Sequence, residues 1–547
     1  MRLRSKIQLA ALLLLIASTA SWPGLSGFAD SARGTQVSRE IQQEVSAGRQ
    51  LEASRKWLDA IEHYEKAAKQ WPDNSSLKLG LRRSKFQFSI VRRYSDKSFR
   101  ESMLRLQEAD ALQIYDELSQ TIERRYVENI GPTSIVAHGT ESLWLALQNK
   151  RFLETNIPNA DQARVTALCR LLRENYWNKP VRYHGQARQV ILEICKISQA
   201  RLGLRSAPII MEYVFGSCNA LDDYSSYLTP GRLKDLFGNI DGEFVGLGIE
   251  MKAELGNGML LVNVLPDSPA DSGGLTPGEY IVSIDGTDCR NMSTDEAAER
   301  LQGASGSRVV LEIQGAPGTR QRQGTFIRRA VSIKSFPIVK MLDPSEGIGY
   351  IQMTGFQRNS TRELDAALRK LQQQGMRALI WDVRGNPGGL LDQATSVLDR
   401  FIENGVLVST RGRNGQVKDV MRATRPGTWQ MPLVVLIDGN SASASEIVAG
   451  AIRDHHRGTL VGRKTYGKWS VQEVMHTRGN AGLRLTIAKF YSPSGRNHAK
   501  VGVSPDIEVP KPDESRTYYR SPTDLNVAGD SDLQAGLRAL RRQMAQR

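Results

Sequence analysis

Apolar and polar positions change their spacing several times along the chain, and each change marks a different kind of element. Leu9 to Ala17 is an apolar run behind Arg2, Arg4 and Lys6, followed by small residues. That is the pattern of a secretory signal peptide, with cleavage after Ala20 or Ala29; an uncleaved segment that keeps the protein membrane-associated is the alternative. The run is shorter than the roughly 18 apolar residues that mark a bilayer span, and no later stretch reaches that length. From about Ile41 to Asn74 the apolar spacing is helical, with Gly48, Ala60, Tyr64, Ala67 and Pro72 at the contact and stop positions of one 34-residue tetratricopeptide (TPR) unit. A generic helical hairpin would carry the same spacing. Such a unit cannot bury its apolar face alone, so it packs either on the rest of the protein or on a partner, an adaptor or another copy. Residues 101–235 continue as helices with polar faces.

Period-two alternation then takes over. FVGLGIEM at 244–251 and LLVNVLPDSPADSGGLTPGEYIVSIDG at 260–286 read as strands and turns, and a helix is expected through Thr294 to Leu301. Beyond them GIGYIQM at 347–353, ALIWDVRGNPGGLLD at 378–392 and PLVVLIDGNSASASEIVAGAI at 432–452 are short apolar runs. Each is broken by glycine, and the latter two are followed by helical spacing, which is the rhythm of a layered α/β core. The last of these is the most informative. Leu433 to Ile437 is a buried strand ended by Asp438-Gly439-Asn440, and Ser443-Ala444-Ser445-Glu446 fits a capping box at the start of a helix reaching about His455.

Ser443 therefore sits at a helix N-terminus. A cap is one reading of it; a nucleophile is the other, because nearby backbone N–H groups there can stabilise an oxyanion once a base is at hand. His455 and His456 lie about 18–20 Å along the same helix at 1.5 Å per residue and cannot be that base. Lys468, in Tyr466-Gly467-Lys468-Trp469, has apolar and aromatic neighbours and no nearby acid in sequence. Burial of that kind lowers a lysine pKa and leaves an amine able to take the serine proton.

S-A-S-A-S-E-I-V-A-G-A at 441–451 is followed by G-K-x-S-V-Q at 467–472. Lys468 lies 25 positions after Ser443, and Gln472 lies four after Lys468. This pairing resembles the carboxyl-terminal processing peptidases, or tail-specific proteases, over roughly residues 110–510. The resemblance implies Ser443 as nucleophile, Lys468 as general base and Gln472 as the group that orients the lysine. It also implies Ala444 and, of the pair Gly388-Gly389, Gly389 as the amides that hold the oxyanion. Trp469 stands where the family has a small residue, and an indole there is expected to narrow the site or dry Lys468. Gln472 can reach Lys468 only if the chain bends near Gly467, because four residues of straight strand span about 13 Å. Asp382 and Arg384 read as a structural ion pair. LDDYSSYLTP at 221–230 resembles the family segment ahead of the binding domain.

Residues 238–332 look like a PDZ domain, which binds a peptide by strand addition. The expectation is that N–H groups of Val245, Gly246, Leu247 and Gly248 cradle a terminal carboxylate while Leu247 and Ile249 shape an apolar pocket. The chain thus divides into a signal peptide (1–29), a TPR-like helical region (30–100), a helical region of the protease (101–237), the PDZ domain (238–332), an α/β peptidase core of ClpP/crotonase-like type (333–510), and a linker with a short helix (511–547).

Composition adds exclusions. The net charge of +15 is carried by scattered Lys and Arg with no basic block, which argues against a nucleic-acid partner. Four cysteines in an exported chain permit disulfides, with a pair among Cys169, Cys195 and Cys218 the first expectation. No CxxC and no His-x-x-x-His occurs, so no metal or cofactor is expected. The sequence reads as an exported, periplasmic or extracytoplasmic Ser–Lys endopeptidase acting on proteins with apolar free C-termini. A silent tail-binding scaffold and a crotonase-like acyl-thioester enzyme are the alternatives.

Overall fold

The computed structural model describes residues 26–510 and 525–546, so the signal-like segment ahead of residue 26 and the linker 511–524 lie outside the described residues. The chain forms two compact units, 1–89 and 90–547. In the first, helices Ser26–Ala53 and Trp57–Gln70 are followed by Ser75–Ser95, which runs on into the second. Tyr64 is wholly buried and fills the gap between these helices. A Cβ added to Gly48 or Gly80 would come within 2.3 and 2.4 Å of its ring, so only glycine lets the helices close on it.

The second unit begins with a helical region whose centre is Ser206–Cys218. This helix is buried on nearly every side, against the polar-faced reading of 101–235. Its Glu212 is the reason a charge can sit there: Arg93 donates to it at 2.7 and 2.8 Å, Tyr94 at 2.9 Å and Ser142 at 2.7 Å. All four cysteines are free, which overturns the disulfide expectation. Cys195 and Cys218 are buried thiols packed as small apolar side chains.

Six strands make the next sheet: Ile249–Glu254, Gly258–Val264, Tyr280–Ile284, Arg308–Gln314 and Gln321–Ile327 in that order, and the short Thr287–Asp288 paired with Tyr280–Ile284; helix Thr294–Leu301 lies against its core. Its two ends are clasped by a separate ribbon, Glu243–Gly246 paired with Arg329–Ser332. Ile249–Glu254 is an edge strand, the open position that strand addition requires.

The α/β core is a six-stranded sheet in the order Ile338–Asp343, Ile348–Gln352, Ala378–Asp382, Leu433–Ile437, Thr459–Gly462 and Ile507–Glu508, parallel after its first pair. The middle strands are buried at every position, as near-continuous apolar runs require. One face is covered by Ser360–Gln373, Leu391–Leu398 and Ala444–Asp454. The other is covered by Ser531–Ala545, so the element read as a short tail helix is half of a core. A second, antiparallel sheet contains Ser226–Leu228, Gly482–Tyr491, Val406–Arg411 and Val417–Arg422, with Ser470–His476 beside Gly482–Tyr491.

Candidate active site

The strand Leu433–Ile437 ends where expected, and the chain turns into helix Ala444–Asp454 through Ser443. Ser443 has φ 56° and ψ −114°, a strained conformation for a residue with a side chain. The turn is held from both sides. Ser441 Oγ donates to the Val383 carbonyl at 2.8 Å, Ser445 Oγ to the Asn386 carbonyl at 2.9 Å, and the Ala442 N–H to the same carbonyl at 3.0 Å. Asn386 is thus the joint between the serine turn and the loop Arg384–Leu390, and its own amide donates to the Met353 carbonyl at 2.9 Å.

Gly388 and Gly389 take up φ of 100° and 151° in that loop. A Cβ on Gly388 would lie 2.8 Å from Ser443 Cβ and 2.9 Å from the Ala444 nitrogen, so the loop backbone touches the serine turn directly. The Gly388 N–H is spent on Asn386 Oδ1 at 2.9 Å, and the Leu390 N–H on the Phe356 carbonyl at 2.8 Å. Among the described residues the Gly389 N–H donates to no acceptor. Ala444 is the first helical residue, whose N–H has no acceptor inside the helix.

Glu446 brings the two halves of the sequence pattern together. It supplies the return half of a capping box, accepting the Ser443 N–H on Oε2 at 2.9 Å, while its own N–H donates to the Ser443 carbonyl at 2.9 Å rather than to Oγ. The same oxygen accepts the Lys468 N–H at 2.7 Å, while Oε1 accepts Gly467 N–H at 2.7 Å and Thr465 Oγ at 2.6 Å. The carboxylate is fully buried. Burial raises its pKa against the pull of these four donors. One side chain therefore fixes the backbones of Ser443 and Lys468 to each other.

The Lys468 ammonium lies 5.0 Å from the centre of the Tyr224 ring. Its pKa is lowered, first by burial and then by the Arg484 charge, against Asp222 and Glu446, which raise it. No hydrogen bond joins Ser443 Oγ to Lys468 Nζ among the described residues. Gln472 does not reach the lysine either; its amide donates to Ser470 Oγ at 2.8 Å and Thr486 Oγ at 3.2 Å. The bulge needed near Gly467 lies between Val471 and Gln472 instead, while Gly467 itself turns with φ 95° against the Lys500 backbone. Trp469 is not in the cleft. Adjacent side chains of an extended segment point oppositely, so with Lys468 toward Tyr224 the indole enters the core, against Gly450 of the serine helix and 4.8 Å from the His498 ring. His455, at the far end of the helix, donates to the Val406 carbonyl at 2.7 Å.

Asp382 and Arg384 form the structural pair expected of them, at 2.7 Å, within a larger buried network. Arg384 also meets Asp530 at 2.8 Å and Asp532 at 2.9 Å, and Tyr350 donates to Asp382 at 2.7 Å.

At the edge strand the expected cradle moves along the chain. The Ile333 N–H donates to the Gly242 carbonyl. The alternation that this bond sets makes Gly246 and Arg329 a hydrogen-bonded pair, so the Gly246 N–H is already used, while Val245 and Ala330 form a non-hydrogen-bonded pair and the Val245 N–H faces away from Arg329–Ser332. Leu247 is 2% exposed and belongs to the domain core, so it cannot wall a surface pocket. The bond from the Leu265 N–H to the Gly248 carbonyl makes Ile249–Val264 a non-hydrogen-bonded pair, which turns the Ile249 N–H to the open edge. The Leu247 and Gly248 N–H groups have no backbone acceptor among the described residues, and the half-buried Ile249 side chain lies beside them.

Sequence reasoning took Glu446 for a helix cap and missed Asn386, Tyr224 and Arg484. The signal for the first two was present, in the S-x-x-E box and the Asn of Asn386-Pro387-Gly388-Gly389. Tyr224 and Arg484 meet Lys468 only through folding.

Residues 347–509 match peptidase family S41 and residues 261–315 match the PDZ domain. A carboxy-terminal-processing protease of Bartonella bacilliformis is 36% identical over 339 residues, covering 60% of this chain and 75% of that protein. A carboxyl-terminal-processing protease of Synechocystis sp. is 32% identical over 371 residues, covering 67% and 81%. Among solved structures, the photosystem II D1 C-terminal processing protease aligns over 73% of this chain and 93% of its own with 25% identity and a TM-score of 0.39. With a PDZ domain inserted ahead of an S41 core, the chain belongs to the carboxyl-terminal processing proteases, serine-type peptidases of family S41.

Proposed function

We propose that the chain is an exported endopeptidase that captures the C-terminal tail of a protein substrate on its PDZ domain and cleaves it by a Ser–Lys acyl-enzyme mechanism. The observation that carries this reading is the Glu446 carboxylate, which holds the Ser443 and Lys468 amides 2.9 and 2.7 Å from one oxygen. In this reading neutral Lys468 takes the Ser443 proton as Oγ attacks the peptide carbonyl. The Ala444 and Gly389 amides hold the resulting oxyanion, and Lys468 returns the proton to the leaving amine and then activates water. Gln472 orients the lysine only if its amide leaves Ser470 and Thr486 when substrate binds. No step needs a metal or cofactor.

Export rests on the Arg2–Ala29 signal pattern. Among the described residues no helix is long and apolar enough to cross a membrane. The helices around Tyr64 support a TPR-like unit for an adaptor or self-association. The parallel sheet with its flanking helices supports a core of the ClpP/crotonase kind.

Tail capture is tested with one long unfolded substrate carrying a free apolar, an amidated or an acidic C-terminus. The free apolar tail is expected to win in kcat/KM and in binding to the protein by a factor that corresponds to roughly 1.5–3 kcal/mol, the range for hydrogen bonds to a charged group. Equal values for all three would reject tail capture and leave Ser443 and Lys468 as a protease site of other selectivity.

A further inference from the structure

A lysine that serves as a base must work without its proton, and the charged groups around Lys468 do not all favour that state. Glu446 of the serine helix and Asp222 of the 221–225 loop are acids, and both favour the ammonium. Tyr224, from the same loop, presents its ring to the ammonium at 5.0 Å. The opposing charge is Arg484.

Arg484 stands on the long strand Gly482–Tyr491, opposite Ser226 on one side and Val474 on the other. Thr486, two residues on and so on the same face, takes the Gln472 amide at 3.2 Å. The Thr486 N–H donates to Ser225 Oγ at 3.0 Å, and Ser225 in turn donates to Asp222 at 2.7 Å, which pins the loop bearing Asp222 and Tyr224 beside Arg484. Arg484 Nε is buried with no hydrogen-bond partner. Among the described residues its guanidinium forms no ion pair. A partly buried arginine whose acidic neighbour Asp222 acts against the effect of burial without forming an ion pair is unfavourable for folding. It also cannot shed its charge, so its field on neighbouring groups is permanent. Lysine in its place could itself deprotonate.

On the reading of Ser443 and Lys468 as nucleophile and base, we propose that Arg484 is a positioning residue that holds Lys468 in its unprotonated, proton-accepting form, with Asp222 setting the strength of that effect from the other side. Burial and Arg484 then act in the same direction on the lysine, and a neutral amine is available at a lower pH than burial alone would allow. Arg484 touches neither the serine nor the leaving group in this role. Its effect is confined to the pH at which the base becomes competent.

The test is the pH dependence of kcat/KM on a long free-tailed substrate. Activity should rise with pH as Lys468 loses its proton. In Arg484→Met and Arg484→Gln this rise should move to higher pH by about one unit, the low end of the range for a neighbouring charge, with the high-pH plateau retained. In Asp222→Asn, whose amide oxygen can still accept from Ser225, the rise should move to lower pH. A merely structural role would lower the plateau in all three and move the rise in none. Should the single Arg484 variants fail to fold, the same substitutions are made in Asp222→Asn, which removes the opposing acid as well: a rise at higher pH than that of Asp222→Asn alone supports the proposal, and a rise at the same pH overturns it. Unmoved profiles in the folded Arg484 variants, alongside an inactive Lys468→Arg, would overturn the role of Arg484 and leave the base assignment standing. Turnover by Lys468→Arg would remove both.

Discussion

Glu446 accepts four hydrogen bonds while fully buried, and two of its donors are the amides of Ser443 and Lys468. Glutamine in its place offers one acceptor oxygen and turns an NH₂ toward N–H donors. Glu446→Gln is therefore expected to lose about 2–4 kcal/mol of stability, since each hydrogen bond to a charged group is worth roughly 1.5–3 kcal/mol, and to lower kcat with it. Chemical denaturation and steady-state kinetics check this; a variant unchanged in both would deny the carboxylate its joining role. Lys468 carries a cost of the opposite charge. Its folded pKa lies below the unfolded one, so its protonated form opposes folding; that cost is full below the folded pKa and fades as pH rises through it. Lys468→Met should be inactive and at least as stable as the parent at neutral pH, as read by thermal melting. Trp469 belongs to a different account. Its indole fills the core against Gly450 and its Nε1 has no partner to lose. Trp469→Gly should cost about 3–5 kcal/mol, as large core truncations do, and Trp469→Phe far less. An equal effect of both on the rate, with stability unchanged, would return the side chain to the cleft. From sequence it is expected at the site because it stands where the resembled family has a small residue, but next to Lys468 in an extended segment it takes the opposite face.

The element with the widest reach is Ser531–Ala545. It covers one face of the parallel sheet with Leu533, Leu537 and Leu540, and the acids at its start meet Arg384 and Arg463. Arg384 opens the loop that carries Asn386, Gly388 and Gly389, so the helix supports the site from behind. Asp532 is 1% exposed, and Asp532→Asn leaves two arginines short of a carboxylate. Breaking a buried pair from one side costs about 3–5 kcal/mol, and denaturation of this variant should show a loss of that order. A loss below about 1 kcal/mol would mean that the network is solvated and holds nothing. Strand and turn positions near the site were legible because they are local: the run Leu433–Ile437 is the strand at those residues, and the S-x-x-E box starts the helix. The role of the last helix was not, because its partners lie some 70 to 200 residues earlier and its spacing is that of any amphipathic helix. Ser206–Cys218 escaped for a related reason. Its Glu212 looks like a surface acid until Arg93, Tyr94 and Ser142 are folded around it.

At the scale of the molecule, the order of a helical region, a PDZ domain and an S41 core was readable because each has a repeat of its own and a few glycines that fix it. Two short motifs singled out Ser443 and Lys468, whose backbone N–H groups both donate to the Glu446 carboxylate. What could not be read was the chemistry that needs distant segments: the carboxylate between the two backbones, the arginine whose charge acts on Lys468, and the choice of which amides at the edge strand stay free. Those depend on register, and Gly246 illustrates it, since pairing with Arg329 removes from the cradle a residue whose sequence suits it. The central claim is that Ser443 forms an acyl-enzyme with Lys468 as its base. Acid quenching during turnover of a long, free-tailed substrate, followed by mass spectrometry of the protein's peptides, tests it directly. The account predicts an acyl adduct on Ser443 in the parent, and neither adduct nor cleavage in a folded Lys468→Arg that still binds the tail. An adduct on another residue, or cleavage by Lys468→Arg, would contradict it.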